Sequence, residues 1–475
     1  MNCTICLFSR NLRVADNSCL AAAGKSGLPV VPVYIDDGLS ASRRSFGQRS
    51  RWWLAKSLQD LDRELERLGS RLIVRRGSLV REITRLIGEC NPASLHVMRD
   101  LPGQAATLEP VCARNDVQLV VHDDLLMFAP GSIVKPDGSA YKVFTPFWRR
   151  CMATPPPARP LATPRTLTKP AKWPASLPLQ KLSPDAEKSD AQLDRYGQQG
   201  SRSALAKLRK YIQRHAADYG KRRDRPDLPD STTRISAHLC FGEIGPRQLW
   251  HSLNPDTGQE PAKAPELLRQ LIWREFCANL LNDFPQLPER ELNPDYTCFA
   301  WQTSDRKGLA AWQRGKTGIP LVDAGMRELN EYGWMHNRVR MVVASFLVKN
   351  LLIDWRLGEK WFWNMLVDAD LANNAANWQW VAGSGADAAP FFRIFNPVLQ
   401  GRKFDPAGDY VRRFVPELAG LTSKYIHAPW LASPIELEAA GIKLGQDYPR
   451  PIVSLAASRE RALNAYRKMR THKSS

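Results

Sequence analysis

The first 127 residues alternate short apolar runs with segments of helix length, and this alternation restricts the fold more than any other feature. The runs TICLF, LPVVPVYI, RLIVRR, SLHVM and VQLVVH are rich in β-branched and aliphatic residues, and a helix is expected near Trp52 to Leu68. Strands of this length separated by helices describe a parallel sheet covered on both faces, a doubly wound α/β domain. From Ser201 onward the strand-like runs fade. ALAKLRKYIQRHAADY, PELLRQLIWREFCANLLNDF and GIPLVDAGMRELNEYGW carry apolar residues at helical spacing, so the second half is expected to be all helical. Between Cys151 and Asp190 the chain is rich in Pro, which removes backbone donors and favours extended conformations. The expected division is an α/β domain at 1–130, a connector at 131–200 and a helical domain at 201–475, with no internal repeat.

Charge adds a class of partner. The 67 Lys and Arg outnumber the 48 Asp and Glu, giving a net charge of +19, a balance that attracts polyanions. Nucleic acid is the leading expectation, and a basic solubility surface is the alternative. The nine Cys lack the paired spacings of a zinc site or a disulfide framework and read as buried thiols in a reducing cytoplasm. The N-terminus reaches charge too early for a signal peptide, and no apolar run approaches the roughly 20 residues that span a bilayer. A soluble, cytoplasmic, monomeric protein is expected.

Two segments place polar side chains where a core would mostly use aliphatic ones. Met335 to Leu352 reads as a helix on which Asn337 and Met341 share a face and Arg340 lies a turn beyond Asn337, so one helix end can offer an amide, a thioether and a guanidinium to one pocket. A helix with a solvated basic edge fits the same letters. DADLANNAANWQW, from Asp368 to Trp380, supplies Asp368, Asp370, Asn374 and Asn377 without a helical period. Its groups can bond the edge of a polar ring system or, alternatively, form an Asx-rich turn that caps helices.

A third segment, YGKRRDRPDLPDSTTRIS, sets Thr232, Thr233 and Ser236 beside Arg234, a combination suited either to phosphates near a helix start or to a simple capped loop. Basic residues outnumber acidic ones between Ser201 and Asp227, so this edge can meet a phosphate backbone or merely be a solvated face. Trp is frequent, with 15 in the chain, and the helical half holds Trp273, Trp301, Trp334, Trp355, Trp378 and Trp380. Indoles pack cores, stack on extruded bases or relay electrons.

Taken together, FSRNLRVADN, YKVFTPFW, STTRIS, LIWREF, KTGIPLVDAGMREL, WMHNRVRM, DADLANNAANWQW, APFFRIFNP and QGRKFDP resemble the photolyase and cryptochrome flavoproteins, most closely the class I cyclobutane pyrimidine dimer photolyases. The resemblance runs over nearly the whole chain. It implies a U-shaped FAD in the helical domain, a lesion in damaged DNA flipped into a cavity above it, and a light-driven electron from reduced flavin to the dimer. It also implies roles by position. Tyr219, Thr232, Thr233, Arg234 and Ser236 would hold the diphosphate and ribityl region, with Arg274 and Asn337 completing the cofactor contacts. Asp368 and Asp370 would meet the ribityl and isoalloxazine edges, Arg340 would pair with Asp368, and Asn374 would face the ring nitrogen that gains a proton. Around the lesion stand Trp273, Trp380, Asn337, Met341, Arg338, Arg393 and Arg223, with Gln270, Met341 and Asn374 as the groups closest to the chemistry. Trp378, Trp355 and Trp301 match the family's photoreduction chain, from flavin to surface.

The chain departs from the family's patterns in two places. Gln270 stands where class I enzymes usually have Glu, one turn before Trp273; an amide can bond a thymine imide but supplies no negative charge. Met341 follows His336 without the second His expected of six-four photolyases, which favours the cyclobutane dimer. The segment MRDLPGQAA, Met98 to Ala106, lacks the usual folate-contacting residues and presents Gln104 and Ala105, so an antenna of methenyltetrahydrofolate or a deazaflavin is left open. The competing expectations are a cryptochrome-like blue-light receptor, for which a C-terminal extension would be expected, and a helical nucleic-acid-binding protein without a cofactor.

Overall fold

The computed structural model describes residues 2–38, 44–100, 103–182, 193, 197–254, 264–302, 304–388 and 392–471. Residues 101–102 of the expected antenna segment and 389–391 of APFFRIFNP lie outside them. The five apolar runs form five strands, β1 (Cys3–Phe8), β2 (Val30–Asp36), β3 (Ile73–Arg76), β4 (Pro92–Met98) and β5 (Gln118–His122). All are parallel, in the order β3-β2-β1-β4-β5. Four helices cross between them: α1 (Ser18–Lys25), α2 (Gln48–Arg67), α3 (Leu79–Cys90) and α4 (Gln104–Arg114). Strand alternation splits the buried side chains between two faces. Ile5, Leu7, Val31, Val33, Ile73, Leu95 and Val97 form one core with Ile83, Leu86 and Leu108 of α3 and α4. Cys6, Phe8, Val30 and Tyr34 look the other way, toward Trp53 and Leu58 of α2, and that core is continuous with the helical half. The sheet is therefore doubly wound, with one face joined to the interior of the second domain.

In the connector, helix Phe144–Ala153 packs against helix Pro265–Asp283, and a Pro-rich stretch without regular structure runs up to the 3-10 turn Leu179–Leu182. This stretch lies along the sheet domain. Leu167 and Leu177 donate their backbone N–H to the carbonyls of Leu68 and Val74 at 2.8 and 2.9 Å.

Polar side chains cross the junction of the halves. Arg13 donates to the Gly242 carbonyl at 2.9 Å, Arg44 to both carboxylate oxygens of Glu359 at 2.8 and 2.9 Å, and Arg247 to Asp16 and Asp124, each at 2.8 Å. Gly242 sits at φ +68°, and a Cβ there would lie 1.9 Å from the Arg10 carbonyl oxygen. Only glycine lets the backbones approach this closely.

Two local expectations are corrected. Met335 to Leu352 is not one α-helix: His336 caps helix Asn337–Ser345, and a π-helical turn follows at Phe346–Asn350. That turn holds the Lys349 ammonium against the Ala382 carbonyl, 2.5 Å away. DADLANNAANWQW is largely a regular helix, Leu371–Ala382, despite its aperiodic polarity. Its polar residues work individually. Asp370 caps the start by accepting from Asn373 N at 2.9 Å, and the buried Gln379 donates to the Leu287 and Arg290 carbonyls, both at 2.7 Å.

Candidate flavin and DNA-lesion site

A cavity of about 500 Å³ opens in the helical half between helices Pro265–Asp283, Asn337–Ser345 and Leu371–Ala382. Each helix contributes one side of its surface. Helix Pro265–Asp283 gives Gln270, Trp273, Arg274 and Cys277; helix Asn337–Ser345 gives Asn337, Arg340 and Met341; helix Leu371–Ala382 gives Asn374, Asn377, Trp378 and Trp380. Spacings of three and four residues explain the grouping. Tyr219, Arg223, Thr233 and Ser236 reach the same space from the segment before Cys240.

The walls are held by charge. Arg340 donates to both oxygens of Asp368 at 2.9 and 3.1 Å and to the Met335 carbonyl at 2.8 Å. Asp370 pairs with Arg10, which arrives from the loop after β1. Burial by itself would raise the Asp370 carboxyl, but Arg10 and Arg274 hold it down at about 2. Asn374 donates through Nδ2 to the Glu359 carbonyl oxygen at 3.0 Å and to its carboxylate at 2.8 Å. Since Nδ2 is engaged, the amide atom left for the cavity is the carbonyl oxygen.

The aromatic walls are equally fixed. Trp273 stacks on Phe144, with ring centroids 3.7 Å apart and planes at 4°, and Trp380 donates its indole N–H to the Asp387 carbonyl at 3.0 Å. Trp378 lines the cavity and packs edge-on against Phe362 at 5.0 Å. Trp355 is fully buried, and Trp301 is half-buried against Phe299 at 4.4 Å.

Four of the residues expected to contact the cofactor or the lesion do not line the cavity. Thr232 lies outside its lining, and Arg234, at φ +51°, stacks over Trp334 at 4.8 Å. Arg338 turns away to pair with Asp224 at 2.7 Å and to cover Phe404 at 4.4 Å, because its place on the helix is off the Asn337–Met341 side. Arg393 is exposed beside a separate small cleft with Lys349. Arg10, Glu359 and Asn373 are site residues that reading the sequence missed. Arg10 stood within FSRNLRVADN without an assigned role, and nothing in LGEKWFWNM distinguishes Glu359 from a solvated helix residue.

Near the expected antenna segment, Gln104 lines a cavity of about 20 Å³ at the carboxyl ends of β1 and β2, while Ala105 packs against the sheet core.

Residues 4–165 match the family described as DNA photolyase, and residues 267–468 match the FAD binding domain of DNA photolyase. The chain belongs to the DNA photolyase family. A deoxyribodipyrimidine photo-lyase of Agrobacterium fabrum is 45% identical over 97% of this chain and 96% of its own length. Cryptochrome-2 of Arabidopsis thaliana is 35% identical over 96% of this chain and 77% of its own. A solved bacterial class III photolyase from Agrobacterium tumefaciens superposes with a TM-score of 0.94 at 43% identity, covering 99% of this chain and 98% of that one. The expected nearness to class I is corrected: the structure that superposes at this TM-score is that of a class III photolyase.

The helical half is thus the family's FAD-binding domain. The donor set suits that cofactor: hydroxyls of Thr233 and Ser236, an Arg340–Asp368 pair and an outward Asn374 carbonyl surround one cavity. Among the described residues, no helix is long and apolar enough to cross a membrane, and no cluster of His, Cys, Asp or Glu is arranged to hold a metal ion.

Proposed function

We propose that this photolyase-family protein repairs cyclobutane pyrimidine dimers in DNA under light, with the flipped lesion held between Trp273 and Trp380. The observation that supports this reading is one cavity lined both by two fixed indoles, Trp273 and Trp380, and by the residues that would hold FAD. When bound, reduced FAD supplies the excited-state electron. The protein's own residues bind, orient and exclude water. Thr233, Ser236 and Tyr219 would hold the phosphate and ribityl portion, and the Arg340–Asp368 pair would border the ring. Asn374 would accept from a ring N–H through its carbonyl oxygen, since Glu359 fixes its amide. Trp273, Trp380 and Met341 would enclose the damaged bases, while Gln270, Arg223 and Asn337 would meet their polar edges.

Flipping costs a few kcal/mol of unstacking, and least for a base already damaged, so the lesion's own poor stacking contributes to selection. The net charge of +19 suits docking to phosphates without sequence preference. Trp378, Trp355 and Trp301 would restore the reduced cofactor from the surface rather than act in each repair event.

Illuminating the reduced, flavin-loaded protein with a thymine-dimer oligonucleotide should restore thymine absorbance. Absence of recovery under blue light, with intact photoreduction, would instead support a cryptochrome-like receptor.

A further inference from the structure

The two indoles that line the cavity stand on different helices, Trp273 on Pro265–Asp283 and Trp380 on Leu371–Ala382. One residue outside both helices, Asp387, is bonded to Trp380 and to the support of Trp273. Its backbone carbonyl accepts the Trp380 indole N–H at 3.0 Å, and its carboxylate accepts the backbone N–H of Phe144 at 3.1 Å. Phe144 is the ring on which Trp273 stacks, 3.7 Å between centroids and 4° between planes. It also opens helix Phe144–Ala153, whose N-cap, Val143, has no side chain able to bond the free N–H groups of the first turn. The Asp387 carboxylate supplies that cap from a distant part of the chain, at the helix end where negative charge is favoured. A third bond, from the Asp387 N–H to the Lys142 carbonyl at 2.9 Å, closes a bracket between the two segments.

We propose that Asp387 is the positioning residue that sets the gap between the two walls, so that binding of the dimer depends on it. The inference rests on the dimer-repair reading above and adds the residue that holds its slot to width. Flat rings are gripped by contacts with little tolerance: a gap of about 0.5–1 Å forfeits roughly a quarter to a half of each one. Undamaged duplex meets the protein through phosphates and leaves the slot unfilled, so its affinity does not depend on the gap. The backbone narrows the choice of residue. Asp387 sits at φ +52°, in the left-handed region that Gly, Asn and Asp enter with least strain. Of these three, only Asp and Asn carry a side-chain acceptor for the Phe144 N–H.

Dark titrations of flavin-loaded protein with a thymine-dimer oligonucleotide and with its undamaged counterpart, read by fluorescence anisotropy, test the bracket. Asp387→Gly keeps the positive φ and both backbone bonds and removes only the carboxylate. It should weaken dimer binding about tenfold, the scale of one charge-assisted hydrogen bond, with undamaged DNA held within about twofold of wild type. Asp387→Asn, which retains an acceptor, should return dimer binding to within about threefold of wild type. Unchanged dimer binding in Asp387→Gly overturns the proposal, as do equal losses for both DNAs or an Asp387→Asn protein no better than Asp387→Gly. If Asp387→Gly does not fold, Phe144→Leu removes the ring under Trp273 while filling most of its space, and should cost dimer binding a similar factor. Dimer affinity equal to wild type in that protein also overturns the proposal. Wild-type protein that binds the dimer no better than undamaged DNA would instead refute the repair reading, on which the positioning role depends.

Discussion

Arg10, on the loop after β1, forms an ion pair with Asp370, the residue that caps helix Leu371–Ala382 on the wall of the cavity proposed to hold FAD. The two lie 360 residues apart, and their side chains are only 14% and 13% exposed. Arg10 also donates through Nε to the Cys240 carbonyl at 2.9 Å, so one side chain from the α/β half ties together two segments that border the cavity.

Arg10→Ala should therefore damage the cofactor site from outside its own domain. Removing one partner of a largely buried pair costs about 3–5 kcal/mol, with Arg274 left to moderate the loss at Asp370. Thermal unfolding with and without flavin should show a lower Tm and faster flavin release. A variant that matches wild type on both measures would remove Arg10 from the site's support.

Glu275 gives a pH signature. It is fully buried and accepts the backbone N–H of Met127 at 2.9 Å; burial raises its carboxyl from an ordinary 4.5 to about 7 despite Arg274 and the backbone donors of Met127 and Phe128. A folded value above the unfolded one means that its favourable contribution is complete below about 4.5 and is lost as the pH rises through 7, on the order of 3 kcal/mol in total. Glu275→Gln keeps an acceptor for Met127 and should flatten the stability profile between pH 5 and 8. Equal slopes in denaturant titrations of the two proteins would rule this out.

Gly358 controls the position of Trp378. A Cβ there would lie 2.2 Å from the Trp378 ring and 2.6 Å from Leu347, so Gly358→Ala must shift the indole. With Trp378 as the first relay, both Gly358→Ala and Trp378→Phe should slow photoreduction, at least tenfold in the latter, while chemically reduced protein still repairs. Flash photolysis and a repair assay on dithionite-reduced samples separate the two; parallel loss in both assays would refute the relay role.

DNA affinity should fall steeply with salt because phosphate binding releases counterions. A protein neutralising about six phosphates loses on the order of 10³-fold in affinity between 50 and 200 mM salt. A log–log slope near zero in fluorescence anisotropy would exclude docking through the basic face.

The sheet is readable from the strand runs because strands buried on both faces, as β1, β2 and β4 largely are, must be apolar nearly throughout, and all five runs in the first 127 residues form parallel strands. The grouping of Asn337, Arg340 and Met341 was equally local, since helical spacing alone brings them to one side. DADLANNAANWQW was harder. Its aperiodic polarity hid a helix because Asp370, Asn374 and Gln379 each answer to a different partner, a cap, Glu359 and the carbonyls of Leu287 and Arg290.

The sequence by itself determined the five strands and which side chains share a face of helix Asn337–Ser345, because backbone periodicity is a property of neighbours along the chain. Only the tertiary structure decided that Arg10 meets Asp370, that Glu359 turns the Asn374 amide, and that Arg338 leaves the cavity for Asp224. Burial forces each charge or amide to find a counterpart, and the counterpart is chosen by distance in space, which no local pattern encodes.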